Sequence, residues 1–267
     1  MSRLDLSQIT LFCFETREPL LAEWAIKQCL SRVDFKNVLL VTNVSLVKNP
    51  LPKIEYIQAP KIRSVKDYSK WMMTELRNYV SGSHVLVIQW DSFVTNPNLW
   101  SNDFLNYDYI GPVWPHHPET PVGNGGFSLR SARLLSALSD PEMKIGHPED
   151  YYICAENKQL LEEKYGIQFA PVAIAEQFAV ERTAWHPAFG FHGLFNFGRV
   201  LSPQDLEVLL SMVPTPFLKG IDAYDLANYL YDKGQTHLFH LLAKKIQFSK
   251  KMRYRYLSLK FRYLFLH

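Results

Sequence analysis

The sequence predicts an α/β domain with a mainly parallel sheet flanked by helices, followed by a helical C-terminal extension. Three observations carry that expectation. Short apolar runs in the first half alternate with helical patterns, as strand–helix–strand units do. The apolar runs end on polar residues, the arrangement of strands whose carboxyl ends meet ligand-binding loops. Hydrophobic residues make up 47% of the 267 and charged residues 21%, enough apolar material for a sizeable core and too little charge for a disordered chain.

Taken in order, residues 9–14 form an apolar run read as a buried strand, broken by Glu15-Thr16-Arg17. Pro19 opens a helix whose Leu20, Leu21, Trp24, Ala25 and Leu30 recur at helical spacing. Residues 38–41 and 54–57 are the next strands, the first ending at Thr42-Asn43. Ser64 caps a helix running to Tyr79, with Met72, Met73, Leu76 and Val80 along one stripe. Residues 84–88 are a fourth strand ending at Gln89-Trp90-Asp91. From there to about residue 200 the pattern turns irregular and rich in Gly, Pro and aromatics, the mark of functional loops. Ser202-Pro203 then starts a helix to Met212, and two more helical stretches follow. A catalytic domain over residues 1–200 and a helical extension over 201–267 is the simplest division.

Charge and cysteine content exclude several classes. The net charge is +3, too small to argue for nucleic acid from the total. Eight basic and no acidic residues fall within 244–267, leaving 21 basic against 26 acidic residues elsewhere, so the basicity belongs to the tail. Cys13, Cys29 and Cys154 are an odd number without metal-type spacing, which suits a reducing cytosol better than a disulfide framework. Residues 1–8 lack a signal-peptide pattern, and no apolar run approaches the roughly 20 residues of a membrane span. The expected location is cytoplasmic, with peripheral attachment at the inner face of the membrane as an extension of that reading.

Four segments could carry chemistry, each with a plainer structural reading. Asp91 closes an apolar strand, where a carboxylate can hold a divalent metal on a diphosphate or simply cap a loop. Gly123-Asn124-Gly125-Gly126 is neither a Walker loop nor a dinucleotide turn, and reads equally as a sugar-binding turn or a tight turn before a strand. Glu149-Asp150 supplies adjacent carboxylates at a helix start, favoured there by the helix dipole or serving as a general base. Helix neighbours do not face each other, so one acid is expected to act on substrate and the other to support the loop. His192, between glycines in Phe189-Gly190-Phe191-His192-Gly193, is either a packed imidazole or a ligand for a Mn²⁺-like ion. His116-His117 is the rival pair.

The ordered set Q-W-D, Y-D-Y-I-G-P-V-W-P, G-N-G-G-F-S-L-R-S, H-P-E-D, F-A-P-V-A-I-A-E-Q-F and F-G-F-H-G is more specific than its parts. It resembles a bacterial family catalogued as a domain of unknown function and classed with GT-A glycosyltransferases, over residues 35–200. The resemblance implies a GT-A-like, Rossmann-like fold and a metal-dependent transfer from a nucleoside-diphosphate sugar. It does not fix donor sugar, acceptor or stereochemical course, for which a UDP-linked donor, a hydroxyl of a glycan or lipid-linked acceptor, and inversion are the expectations. Asp91 matches the aspartate that binds metal, Mn²⁺ or Mg²⁺, after the fourth strand. Gln89 stands where wider-fold relatives carry the first acid of Asp-x-Asp. His192 matches the histidine completing the metal site. Glu149-Asp150 matches the element whose second acid is the base. Asn124, Gly125 and Gly126 match the acceptor-side loop, and Trp114 joins them. Thr16, Asn43, Tyr68, Gln89 and Trp90 are expected around the donor. Trp90, Trp114, Phe127 and Phe191 are expected to line a water-poor pocket.

Two rival readings use the same residues. A nucleotidyltransferase or nucleotide-sugar hydrolase would share the sheet and the metal, and a non-catalytic sugar-binding module would need no base. In the tail, Lys244, Lys245, Lys250, Lys251, Arg253, Arg255, Lys260 and Arg262 alternate with apolar residues. Such a helix suits an anionic membrane surface or a packed helix with a basic face in water; contact with nucleic-acid phosphates ranks third.

Overall fold

The computed structural model describes residues 3–247 and 253–264. The chain falls into two compact units, residues 1–192 and 193–267. The division lies after His192, and the segment 193–200 goes with the helices of the second unit.

In the first unit β1 (Leu4–Phe14), α1 (Pro19–Leu30), β2 (Val33–Thr42), β3 (Glu55–Gln58), α2 (Val65–Thr74) and β4 (His84–Ile88) follow the expected alternation. β1, β2, β3 and β4 are mutually parallel where they pair. Then come β5 (Ser92–Val94), β6 (Tyr109–Ile110), β7 (Phe127–Ser131), α3 (Ala132–Ala137), the single turn α4 (Glu149–Tyr151), α5 (Lys158–Tyr165), α6 (Val172–Phe178), β8 (Ala179–Val180) and β9 (Gly190–His192). The main sheet runs β3-β2-β1-β4-β7-β6, and a small second sheet runs β5-β9-β8. β7 pairs antiparallel with β4, Ile88 opposite Phe127, so the sheet is mostly rather than wholly parallel. The stretch read as irregular therefore contains five strands and several short helices. Four of the strands have only two or three residues, too short for an alternation to register.

The helix limits follow local chemistry. Pro19 sits at the first turn of α1, where its missing N–H costs nothing. Ser64 caps α2 and Asp67 returns the bond, a capping box. The expected helix to Tyr79 stops at Thr74, and Leu76–Tyr79 tightens into a 3₁₀ turn. The buried face of α2, Trp71, Met72 and Met73, packs with Phe12, Phe14, Val85 and Val87 of the central strands. Each such side chain removed from water contributes about 1.5–3 kcal/mol. Cys13, Cys29 and Cys154 are all buried and free. Phe127 and Phe191 are fully buried as well, so they fill the core instead of lining a pocket.

The second unit holds α7 (Phe197–Val200), α8 (Pro203–Met212), α9 (Gly220–Asp232), α10 (Thr236–Ala243) and α11 (Arg253–Leu264). Lys245 Nζ donates to the carbonyls of Leu210, Ser211 and Val213 at 2.6–3.3 Å, closing the end of α8. On α11, Leu259 is buried, and Arg262 reaches Asn228 at 2.9 Å and Asp232 at 3.6 Å. Tyr254, Leu257 and Phe261 are exposed. The helix thus turns Arg262 toward α9 and buries Leu259, while Arg255 and Lys260 are exposed alongside the three apolar side chains. Lys250 and Lys251, with Phe248, Met252 and Phe265, lie outside the described residues. Among the described residues no helix is long and apolar enough to cross a membrane.

Candidate active site

The strand order reverses between β1 and β4, and a cavity of about 590 Å³ opens beyond the carboxyl ends of these two strands. Phe14, Glu15, Thr16 and Arg17 leave β1 into it, and Gln89 and Trp90 leave β4. The start of α2 contributes Arg63, Ser64 and Tyr68, the glycine turn contributes Asn124, Gly125 and Gly126, and His147, Glu149, Asp150 and His192 complete the wall. Of the residues read from the sequence, Thr16, Tyr68, Gln89, Trp90, Asn124, Gly125, Gly126, Glu149, Asp150 and His192 are brought together here. Asn43 and Trp114 are not. Asn43 accepts from Ser45 Oγ at 2.8 Å, and Trp114 covers Gly123, where an added Cβ would meet its ring at 2.4 Å. Asp91 is buried and meets the site through His192.

On one side of the glycine turn, His192 sits among oxygens. Its Nε2 lies 3.2 Å from Gln89 Oε1 and 3.6 Å from Asp91 Oδ1, and its Nδ1 lies 3.0 Å from Glu181 Oε1. Burial alone would lower the imidazole's pKa, but the Asp91 and Glu181 carboxylates hold it well above the ordinary value. Gly126 is required for this approach: a Cβ there would lie 2.2 Å from His192 Nε2.

On the other side the two acids divide. Glu149 is buried, with Oε1 3.4 Å from Arg130 Nη2 and Oε2 accepting from Ser69 Oγ at 3.4 Å. Burial, then the adjacent Asp150, raise its pKa, partly offset by Arg130. Asp150 is half-buried; Oδ2 accepts the Gly125 N–H at 2.8 Å and Oδ1 accepts the Tyr151 N–H at 2.9 Å. Gly125 again permits the fit, since a Cβ would stand 2.5 Å from Glu149 Oε1. The glycines therefore clear room for protein side chains from both flanks, a reason beyond ligand access. Asn124 adopts φ 58°, and its Oδ1 accepts the Gly126 N–H at 2.8 Å. Burial in the wall pushes the Tyr68 phenol above its usual range.

Several residues here escaped the sequence reading. Glu181 bridges His192 and Asn124, whose Nδ2 it accepts at 2.8 Å. Arg17 and Arg63 bring positive charge to the cavity wall, Arg17 held by Glu15 at 3.3 Å. Arg130 lies beneath the acids, fully buried, and His147 bonds Ser69 at 2.8 Å. Arg130 and His147 sat in quoted motifs, where the strand position of Arg130 gave no sign of burial beside Glu149.

A family profile described as "Protein of unknown function (DUF5672)" matches residues 52–192, just over half of the chain. The chain belongs to that family. The matched part of this DUF5672 member holds Gln89, Asp91, the glycine turn, Glu149-Asp150, Glu181 and His192. No curated protein matches the chain. Solved structures similar to it include a glycosyltransferase involved in glycosylating the major capsid of PBCV-1, with 11% identity, TM-score 0.45, 69% of this chain and 91% of that one. The mannosyltransferase PcManGT from Pyrobaculum calidifontis, in complex with GDP-Man and Mn²⁺, has 10% identity, TM-score 0.42 and coverage of 89% and 73%. The bifunctional IspDF from Campylobacter jejuni has 13% identity and TM-score 0.42; the match takes 61% of this chain and spans 48% of that protein's length.

In the DUF5672 site a carboxylate oxygen of Asp91 and the amide oxygen of Gln89 both lie within 3.6 Å of His192 Nε2. Such N/O donors suit Mn²⁺ or Mg²⁺, with remaining positions left to ligand oxygens and water. Among the described residues no three His, Cys, Asp or Glu side chains form a group that could hold a metal ion by themselves.

Proposed function

We propose that this protein is a glycosyltransferase that moves a sugar from a nucleoside-diphosphate donor, UDP-linked by preference, to a hydroxyl of a glycan or lipid-linked acceptor, with inversion. The observation that carries the reading is the convergence on one cavity, at the strand-order reversal, of a cation-compatible donor set on one flank of the glycine turn and Asp150 on the other. In this proposal Asp91, His192 and Gln89 hold the ion, which when bound neutralises charge on the leaving diphosphate. Arg17 and Arg63 add fixed positive charge for the same oxygens. Asp150 takes the acceptor proton while the hydroxyl oxygen bonds to the anomeric carbon and the bond to the diphosphate oxygen breaks. The hydrogen bond from Gly125 N–H keeps that carboxylate aimed. Glu149, buried on Arg130, supports the loop. Thr16, Tyr68 and Trp90 form the donor wall, and burial of the wall limits water attack on the donor.

The test is a mass-spectrometric screen of nucleotide sugars with Mn²⁺ and a glycan panel. An acceptor gaining one sugar residue, with matching nucleoside diphosphate, is the expected product. Nucleotide release at the full rate without acceptor would replace the reading by a hydrolase, and donor binding without turnover across the panel would replace it by a binding module. The exposed stripe of Tyr254, Leu257 and Phe261 supports attachment of α11 to an anionic bilayer, close to a lipid-linked acceptor. Sedimentation with anionic vesicles should be lost in a chain ending at Leu242; equal binding of both forms would remove this attachment.

A further inference from the structure

We infer that Glu181 is the positioning residue of the site, locking the tautomer of His192 and the left-handed turn at Asn124 with a single carboxylate. The inference deepens the proposed function and rests on its metal assignment.

Glu181 lies just past β8, which pairs in parallel with β9, the strand that ends in His192. Its two oxygens go separate ways. Oε1 is 3.0 Å from His192 Nδ1, and Oε2 accepts from Asn124 Nδ2 at 2.8 Å. The direction of the second bond is fixed by the rest of the turn. Asn124 Oδ1 accepts the Gly126 N–H, so Nδ2 is the amide's donor end. The first is fixed by the chemistry of a carboxylate, which only accepts, so Nδ1 must carry a proton. In the neutral imidazole that leaves the lone pair on Nε2, the nitrogen facing Gln89 and Asp91. Carboxylate–imidazole pairs of this kind orient metal-binding histidines.

Two donors converging on one side chain make the residue type specific. A glutamine of the same shape presents one oxygen and one NH₂. Turned one way, its NH₂ opposes Asn124 Nδ2. Turned the other, it donates to His192 Nδ1 and forces the proton onto Nε2, closing that nitrogen to a cation. Only an ionised acid satisfies both partners. The same residue ties the two flanks of the cavity together, because the Asn124 turn presents Gly125 N–H to Asp150. The signal was absent from the sequence: Glu181 sits in Ala-Val-Glu-Arg-Thr, outside every motif that drew attention.

The test compares wild type with Glu181→Gln and Glu181→Ala by Mn²⁺ titration followed by electron paramagnetic resonance, with UDP present, and by thermal melting. Long-range ¹H–¹⁵N spectra of the metal-free proteins, taken with the imidazole neutral, read the tautomer of His192. Wild type should bind Mn²⁺ and show the Nδ1–H tautomer. Glu181→Gln should melt close to wild type yet lose Mn²⁺ affinity about 10–100-fold, as does Glu181→Ala, and its His192 should shift to Nε2–H. Unchanged affinity and tautomer in Glu181→Gln would overturn the inference. Wild type that binds no Mn²⁺ while its His192 holds the Nδ1–H tautomer would overturn the metal reading beneath it, and with it the catalytic meaning of Glu181. Should Glu181→Ala fail to fold, the isosteric Glu181→Gln still decides.

Discussion

Asp108 and Glu149 are both buried acids, each beside an arginine, and their carboxyls shift in opposite directions. Burial would raise Asp108, but Arg133, Ser131 Oγ at 2.5 Å and the Gln168 N–H at 2.8 Å hold it below the ordinary value. Its arginine is half-exposed, with 56% of the side chain open to solvent. Glu149 has a fully buried arginine at 3.4 Å, a distant serine and a second acid next in the chain, and its carboxyl rises. A buried acid–arginine pair is thus no functional signal by itself. Asp108 is a finished structural latch joining β7, α3 and the strand-like segment at Gln168. The Glu149 neighbourhood carries an excess of negative charge into a cavity wall, and its neighbour Asp150 is half-open to whatever enters.

The contrast breaks most sharply in Asp150→Asn. The isosteric amide removes the proposed base and should cut turnover by roughly 10²–10⁴-fold while calorimetric donor binding stays nearly intact. Near-normal turnover would move the base elsewhere or indicate a retaining course. Next is Arg130→Met, which leaves Glu149 buried without its cation and should destabilise the fold by about 3–5 kcal/mol in urea unfolding. A loss below about 1 kcal/mol would mean that Glu149 is protonated and indifferent to Arg130. Smallest is Asp108→Asn, at about 2 kcal/mol, because Arg133 falls back into water. Its sign against pH follows from the lowered carboxyl: the Asp108 contribution is present above the unfolded value of 3.8 and is lost as pH falls through the folded one. The difference between wild type and Asp108→Asn should therefore shrink on acidification below about pH 4, and a difference that grows there would refute the latch.

How far the sequence disclosed this contrast depends on element length. The ends of β1 and β4 were legible because runs such as Val85-Leu86-Val87-Ile88 stop at polar residues, and both ends line the cavity. The glycine turn, the acid pair and His192 stood in motifs with chemistry at fixed spacing. Phe127 was misplaced because an aromatic after glycines looks like a pocket wall, whereas pairing opposite Ile88 puts it in the core. The roles of Asp108, which stood in a quoted motif, and of Glu181, which did not, were hidden for a shared reason: their partners lie 25 and 57 residues away at Arg133 and Asn124. Those contacts are made by residues flanking strands of two to five residues, whose pairing leaves no periodic trace. Trp114 and Asn43 show the converse, residues of suitable type whose backbone carries them away from the cavity.

The most direct test of the central claim is acceptor-dependent release of nucleoside diphosphate from the productive donor, measured in Mn²⁺ and again in excess chelator, for wild type and Asp91→Ala. The account predicts release with Mn²⁺, loss of that release in chelator, and no release in either condition for Asp91→Ala. Full turnover of the wild type in excess chelator would contradict it.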